Sequence, residues 1–112
     1  MERAAHVEEF TMIIEYIRYR LPSERCIEFE RAYGLAGEAL LASPHCLAYE
    51  LTRCTEDPTC YVLRIEWDSA EGHLRGFRGS TEFRAFFGHI QPFVPYIEEM
   101  RHYEAVGVQK RK

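Results

Sequence analysis

The 112-residue chain is short of most features that announce a specialised protein. Its four cysteines, at positions 26, 46, 54 and 60, form no Cys-x-x-Cys pair and stand near no paired histidines, so a zinc site is not expected and no metal is assigned. Reduced, mostly buried thiols are the expectation for a cytosolic chain. Cys54 and Cys60 flank "TEDPT" and could face each other across a hairpin, which leaves a disulfide as the alternative there. No basic block precedes the terminal "QKRK" and the net charge is -4, which argues against nucleic acid as a partner. No apolar run approaches the roughly 20 residues that span a bilayer, and "MERAAHVEEF" lacks the apolar core of a signal peptide. No membrane association is expected, and a cytoplasmic protein is the default. Gly72, Gly76 and Gly79 lack the strand-turn-helix context and the lysine of a phosphate loop, and are read as permitting close helix approach. Neither low-complexity segments nor internal repeats are found.

What is present is apolar and aromatic. Hydrophobic residues make up 46% and aromatics 13%, with seven Tyr, seven Phe and one Trp. That is enough for one core in one domain. Aromatic excess is core material, and it is also what lines a pocket for a flat organic ligand.

Residues 1–10 read as an N-terminal extension, 11–104 as the domain and 105–112 as a C-terminal tail. "TMIIEYIRY", 11–19, reads as a strand rich in Ile and Tyr, stopped by Leu21-Pro22. Ser23 offers a helix cap, and Cys26, Phe29 or Glu30, Tyr33, Ala36 and Leu40 follow at spacings of three and four, which predicts a helix over 23–42. "CLAYELTR", 46–53, and "CYVLRIEW", 60–67, read as a hairpin around "TEDPT". On the second of these strands Tyr61, Leu63, Ile65 and Trp67 share one face. Asp68 or Ser69 caps a short helix, 69–78; a second helix, 80–91, carries Phe83, Phe86, Phe87 and Ile90 as a stripe before Pro92 and Pro95. A charged strand, 96–106, ends the pattern. The order β-α-β-β-α-β predicts an α+β, ferredoxin-like fold, one antiparallel sheet with helices on one face. The open face carries a mixed residue set, so a homodimer packed sheet to sheet is expected.

A strand ending "EW", then "DSAE", a helix, and "STEF" opening a Phe-rich helix, with "SPHCLAYEL" before a strand, resembles the antibiotic biosynthesis monooxygenase domain, the family that includes quinol and heme-degrading monooxygenases. The similarity covers about residues 11–104. It implies a dimeric α+β barrel with a pocket between sheet and helices in each subunit. It also implies oxygenation of an electron-rich aromatic by dioxygen, often with no metal or flavin, so no cofactor is expected. Trp67 matches a tryptophan that lines the pocket in several relatives. The asparagine that some polyketide-type members carry four residues earlier is Leu63 here. Where many quinol monooxygenases keep a histidine, three residues before the helix-opening serine, this chain has Phe77, with His73 one turn earlier. The asparagine and histidine of heme-degrading members fall near Tyr16 and Phe87. His89, two residues on, is turned by about 200° on a helix, so heme degradation is disfavoured.

His73 shares a helix face with Ala70, Leu74 and Phe77 and is the best-placed histidine for a general base, since His6 lies in a tail and His45 in a turn. A buried histidine satisfied by a carbonyl is the plainer reading. Trp67 is either a core anchor or a cavity wall offering its indole N–H to a ligand. Tyr33 points from the helix stripe towards the sheet, where a phenol can hold a substrate oxygen. Tyr16, Tyr49, Leu63, Ile65, Phe77, Phe83, Phe87 and His89 complete the expected substrate wall. His102 shares a strand face with Glu98 and Met100 and is read as an interface contact. The leading expectation is a cofactor-independent monooxygenase acting on a quinol-like or polycyclic phenolic substrate with dioxygen. A non-catalytic small-molecule-binding or interaction module on the same fold is the alternative, and heme binding, with His89 as the axial ligand, is a third.

Overall fold

The computed structural model describes residues 12–112; the extension assigned to residues 1–10, with His6, lies outside the described residues. Four strands alternate with helical segments: β1 (Ile13–Arg20), α1 (Cys26–Ala42), β2 (Cys46–Arg53), β3 (Cys60–Trp67), α2 (Thr81–Ile90) and β4 (Ile97–Glu104). They form one antiparallel sheet in the order β2-β3-β1-β4. The helices cover one face, with α1 packed along α2. This is the ferredoxin-like α+β fold expected from the hydrophobic periods.

Period two fixes which side chains face the helices. On β3, Tyr61, Leu63, Ile65 and Trp67 are all buried, and their partners on β1 are Tyr19, Ile17, Glu15 and Ile13. A strand whose alternate residues are Ile, Glu, Ile and Tyr thus turns one carboxylate inward with the apolar set. Phe29 of α1 anchors the packed end of the core. Its ring lies 4.7 Å from Tyr19, 4.9 Å from Tyr61, 5.1 Å from Tyr33 and 5.3 Å from Phe93. Such pairs add roughly 0.5–1.5 kcal/mol each beyond the area they bury. The outer face carries Arg64 with Glu66 and Arg101 with Glu99, together with an edge-to-face contact of Tyr16 on Tyr103.

The helix starts differ from the sequence reading in two places. Ser23 makes no capping hydrogen bond; a 3-10 turn over Ser23–Arg25 leads into α1, and Arg25 ties the entrance down through Glu28 at 3.1 Å and by lying over the Phe93 ring. The short helix expected over 69–78 is instead a wide π-type turn over Gly72–Phe77, with the Arg78 N–H reaching the His73 carbonyl. Ser69, rather than Asp68, caps it by accepting from the Gly72 N–H. Ser80 caps α2 by accepting from the Phe83 N–H. All four cysteines are free thiols.

Gly37 is buried on α1 directly against the Tyr49 ring of β2, whereas nothing approaches Gly34. A methyl at Gly37 must displace that ring. Gly37→Ala is expected to lower stability by about 1–3 kcal/mol through overpacking. Gly34→Ala on the same helix should raise it by about 0.5–1 kcal/mol. Urea unfolding of the two variants, read by circular dichroism, checks the opposite signs.

Candidate active site

Between the sheet and the second helical region the side chains do not close. They leave an apolar cavity of about 170 Å³, with Ile17 and Ile65 on its floor and Phe77, Phe83, Phe86 and Phe87 on its helical wall. An engineered apolar cavity of about 150 Å³ is enough to hold benzene, so the space fits one aromatic ring.

Polar groups stand at two places along β1. At one, Glu15 is 3% exposed. Its Oε1 accepts from Trp67 Nε1 at 3.0 Å and lies 3.3 Å from His73 Nε2, and its Oε2 lies 3.4 Å from His102 Nε2. The imidazole of His73 is held between Trp67 and His102, with ring centroids 4.6 Å and 4.9 Å away. The π-type turn places it there, a kind of distortion that recurs at functional sites. At the other, Tyr19 and Tyr33 join hydroxyl to hydroxyl at 2.5 Å. Glu15 and Tyr19 are four residues apart on one strand face, a Cα spacing of about 13 Å.

Burial sets the protonation of these groups. It pushes the Glu15 carboxyl above the usual carboxylate range, against the Trp67 hydrogen bond and the neighbouring His102 and Arg78, which hold it down. Burial, helped by His102 and Arg78, pushes His73 down to about 4, so its imidazole is neutral near pH 7. The Tyr19 phenol is pushed up to about 12 by burial and Tyr33 well above its ordinary value by burial and by Tyr19. Both phenols therefore stay protonated. One proton is spent between them and the other is free for a ligand, so this pair donates hydrogen bonds and does not accept protons.

With this geometry in place, comparison with known proteins is direct. The sequence profile of the antibiotic biosynthesis monooxygenase family matches residues 12–88. The chain belongs to that family. The uncharacterized protein YczJ of Bacillus subtilis is 29% identical over 79 residues, which is 70% of this chain and 83% of YczJ. Among solved structures, a candidate antibiotic biosynthesis monooxygenase from Bordetella bronchiseptica superposes with a TM-score of 0.70 at 23% identity, covering 86% of this chain and 98% of that one. The cofactor-independent oxygenase SnoaB of Streptomyces nogalater does so with a TM-score of 0.67 at 15% identity, covering 89% of this chain and 96% of SnoaB. At these identities the structural likenesses establish the fold.

In this antibiotic biosynthesis monooxygenase domain the cavity gathers seven of the residues singled out in the sequence: Tyr33, Ile65, Trp67, His73, Phe77, Phe83 and Phe87. Four others lie elsewhere. Tyr16 has the wrong parity on β1 and points to the outer face, against Tyr103 and Arg64. Tyr49 faces the helices but is spent against Gly37. Leu63 is fully buried opposite Ile17 and Leu51 in the filled part of the core. His89 is exposed on the far side of α2. The heme reading, which needed His89 to face the cavity, loses its axial ligand. Trp67 is both core anchor and cavity wall, but its N–H is already given to Glu15 and is not open to a ligand. His102 is no outer-face contact: it pairs in register with Glu15, on the helix-covered side.

Glu15, His102, Tyr19 and Arg78 were not anticipated. The signal for Glu15 was available: in "IIEYIRY" it has the parity of Ile17 and Tyr19, so a strand burying those buries it too. His102 follows only from the β1–β4 register, which no single strand carries.

The Trp67–Glu15 hydrogen bond should be measurable as a coupling. Trp67→Phe leaves a buried carboxyl without its donor, at a cost of about 1–3 kcal/mol. In a double-mutant cycle with Glu15→Leu, which removes the acceptor, urea unfolding should return a coupling energy of at least about 1 kcal/mol; additive losses would mean that the bond contributes nothing to the fold.

Proposed function

We propose that this protein is a cofactor-independent monooxygenase that oxidises a single-ring, quinol-like substrate with dioxygen in the cavity beside Glu15. The observation that carries the reading is an apolar cavity of one-ring volume with a buried carboxyl–imidazole pair at one place and a phenol pair at another. The cavity volume, about that needed for one ring, favours a hydroquinone over a polycyclic phenol. Arg78 stands at the cavity wall as an exposed cation, suited to drawing in a phenolate.

The residues divide the work as follows. Neutral His73 accepts the proton from one substrate hydroxyl. Its low proton affinity is offset by Glu15 alongside, so the pair rather than either group is the acceptor. The resulting quinolate passes one electron to dioxygen, and the substrate radical and superoxide combine into a C–O bond. The peroxide O–O bond then breaks, leaving one oxygen on the ring as a hydroxyquinone and releasing the other as water. The substrate supplies all the electrons, so the balance closes with no external reductant. The Tyr19–Tyr33 pair donates its one free proton to the oxygen that carries charge, and the phenylalanines exclude water that would quench the radical pair. A homodimer through the outer sheet face belongs to the same reading. It is supported by Tyr16 and Tyr103, 37% and 47% exposed on that face.

Oxygen uptake by EDTA-treated protein with a panel of hydroquinones is the decisive measurement. His73→Asn should lower kcat/KM by about 100-fold, within the range of general-base contributions, and Tyr33→Phe by about 10-fold for one lost donor. Tyr16→Phe, on the outer face, should leave the rate unchanged. Binding of single-ring phenols without any oxygen uptake would replace the enzyme by a non-catalytic binding module. A monomer in sedimentation equilibrium at micromolar concentration would remove the dimer.

A further inference from the structure

Two imidazoles and one carboxylate converge beside the cavity from three separate elements: Glu15 from β1, His73 from the π-type turn and His102 from β4. One ligating atom of each lies within 4.8 Å of the other two. Hydrogen-bonded N–H···O pairs sit mostly at about 2.9–3.0 Å, whereas His73 Nε2 stays 3.3 Å from Glu15 Oε1 and His102 Nε2 stays 3.4 Å from the other oxygen, Oε2. The His73–Oε1 separation is that of one edge of a tetrahedron with metal bonds of about 2.0–2.1 Å, which is about 3.3 Å.

We propose that Glu15, His73 and His102 form a three-ligand site for a divalent first-row transition cation, of the Zn(II) class. Two nitrogens and one oxygen are a donor set that suits this class of ion and discriminates against calcium and magnesium, which take oxygen ligands. Trp67 supplies the outer support: its N–H fixes Glu15 Oε1, so the carboxylate is oriented before any ion arrives. His102 is the adjustable member. Its side chain is 38% exposed, whereas those of His73 and Glu15 are 4% exposed. Its partly open position on edge strand β4 gives the ion a way in.

Occupancy has a consequence for the reading above, and this part of the proposal rests on that reading. The lone pair of His73 Nε2 serves either the ion or the substrate proton, not both. A bound cation therefore withdraws the base, and the ion acts as an inhibitor of the metal-free oxygenase.

The test uses the full chain, stripped with EDTA and titrated with Co(II) and Zn(II). Visible absorption of a low-coordinate Co(II) centre should saturate at one equivalent, and Zn(II) should raise the melting temperature. Glu15→Gln and His102→Ala should each weaken Co(II) binding at least 10-fold, with folding confirmed by circular dichroism. His45→Ala, which removes the ring paired with Asp68 at the surface, should bind as the parent does. No Co(II) band with the parent, or equal binding by the parent and both site variants, overturns the site. Zinc should also lower quinol oxidation at least 10-fold, reversibly with EDTA. Zinc that binds at the site without slowing turnover overturns the inhibition. Absence of all turnover in metal-free protein counts against the oxygenase reading and leaves the Co(II) result as the measure of the site.

Discussion

The carboxylate of Glu15 is the constraint around which the second half of the domain is arranged. A carboxyl placed among Ile17, Ile65 and Trp67 is costly to bury unless polar groups meet it. The indole N–H of Trp67 donates to it, and the imidazoles of His73 and His102 stand 3.3 Å and 3.4 Å from its oxygens. Each of these comes from a different element, so one buried acid ties the end of β3, the π-type turn and β4 to the centre of the sheet. Removing the indole leaves the acid without its hydrogen-bond donor. That is why the local polarity is retained in an otherwise aromatic interior.

The cavity follows from the same arrangement. Where Phe29 gathers Tyr19, Tyr33, Tyr61 and Phe93, the space between sheet and α1 is filled. Beyond that cluster the wall is built by α2 and by the wide turn before it, and the phenylalanines there pack on one another, with Phe77 also reaching Trp67 of β3 at 4.8 Å. Phe83 lies over Phe87 at 5.7 Å and edge-on to Phe77 at 5.4 Å. The glycines of the turn have a packing role: a side-chain carbon at Gly76 would collide with the His45 ring, and one at Gly72 with Asp68. The turn is thus drawn close to the β2 end of the sheet, and His73 is delivered inward on its other side. Chemistry and architecture meet at that turn.

Much of the fold was legible in the residue pattern. The alternation of "CYVLRIEW", the 3-4 spacing from Cys26 to Leu40 and the Ser80 cap before the Phe stripe each report a local preference, and the element bounds agree to within a few residues. The site was legible in part. Trp67, His73 and the aromatic wall were anticipated, because they are large or rare residues on faces whose burial follows from period. Tyr16 reads as a wall residue by its aromatic type, although its parity puts it outside. Glu15, beside it, is hard to read from sequence because a charged residue in a strand looks solvated until its neighbours are known to be buried.

By itself, the sequence determined the secondary structure, the sheet-and-helix class, the family and the aromatic character of the interior. These depend on local spacing and composition, which a linear chain carries in full. Only the tertiary structure decided that Glu15 and His102 are partners, that Tyr19 and Tyr33 share one hydrogen bond, and that His73 is held neutral. The reason is physical. Register between β1 and β4 brings together residues far apart in sequence, and the proton affinity of each group is then set by the burial and the charges it meets there.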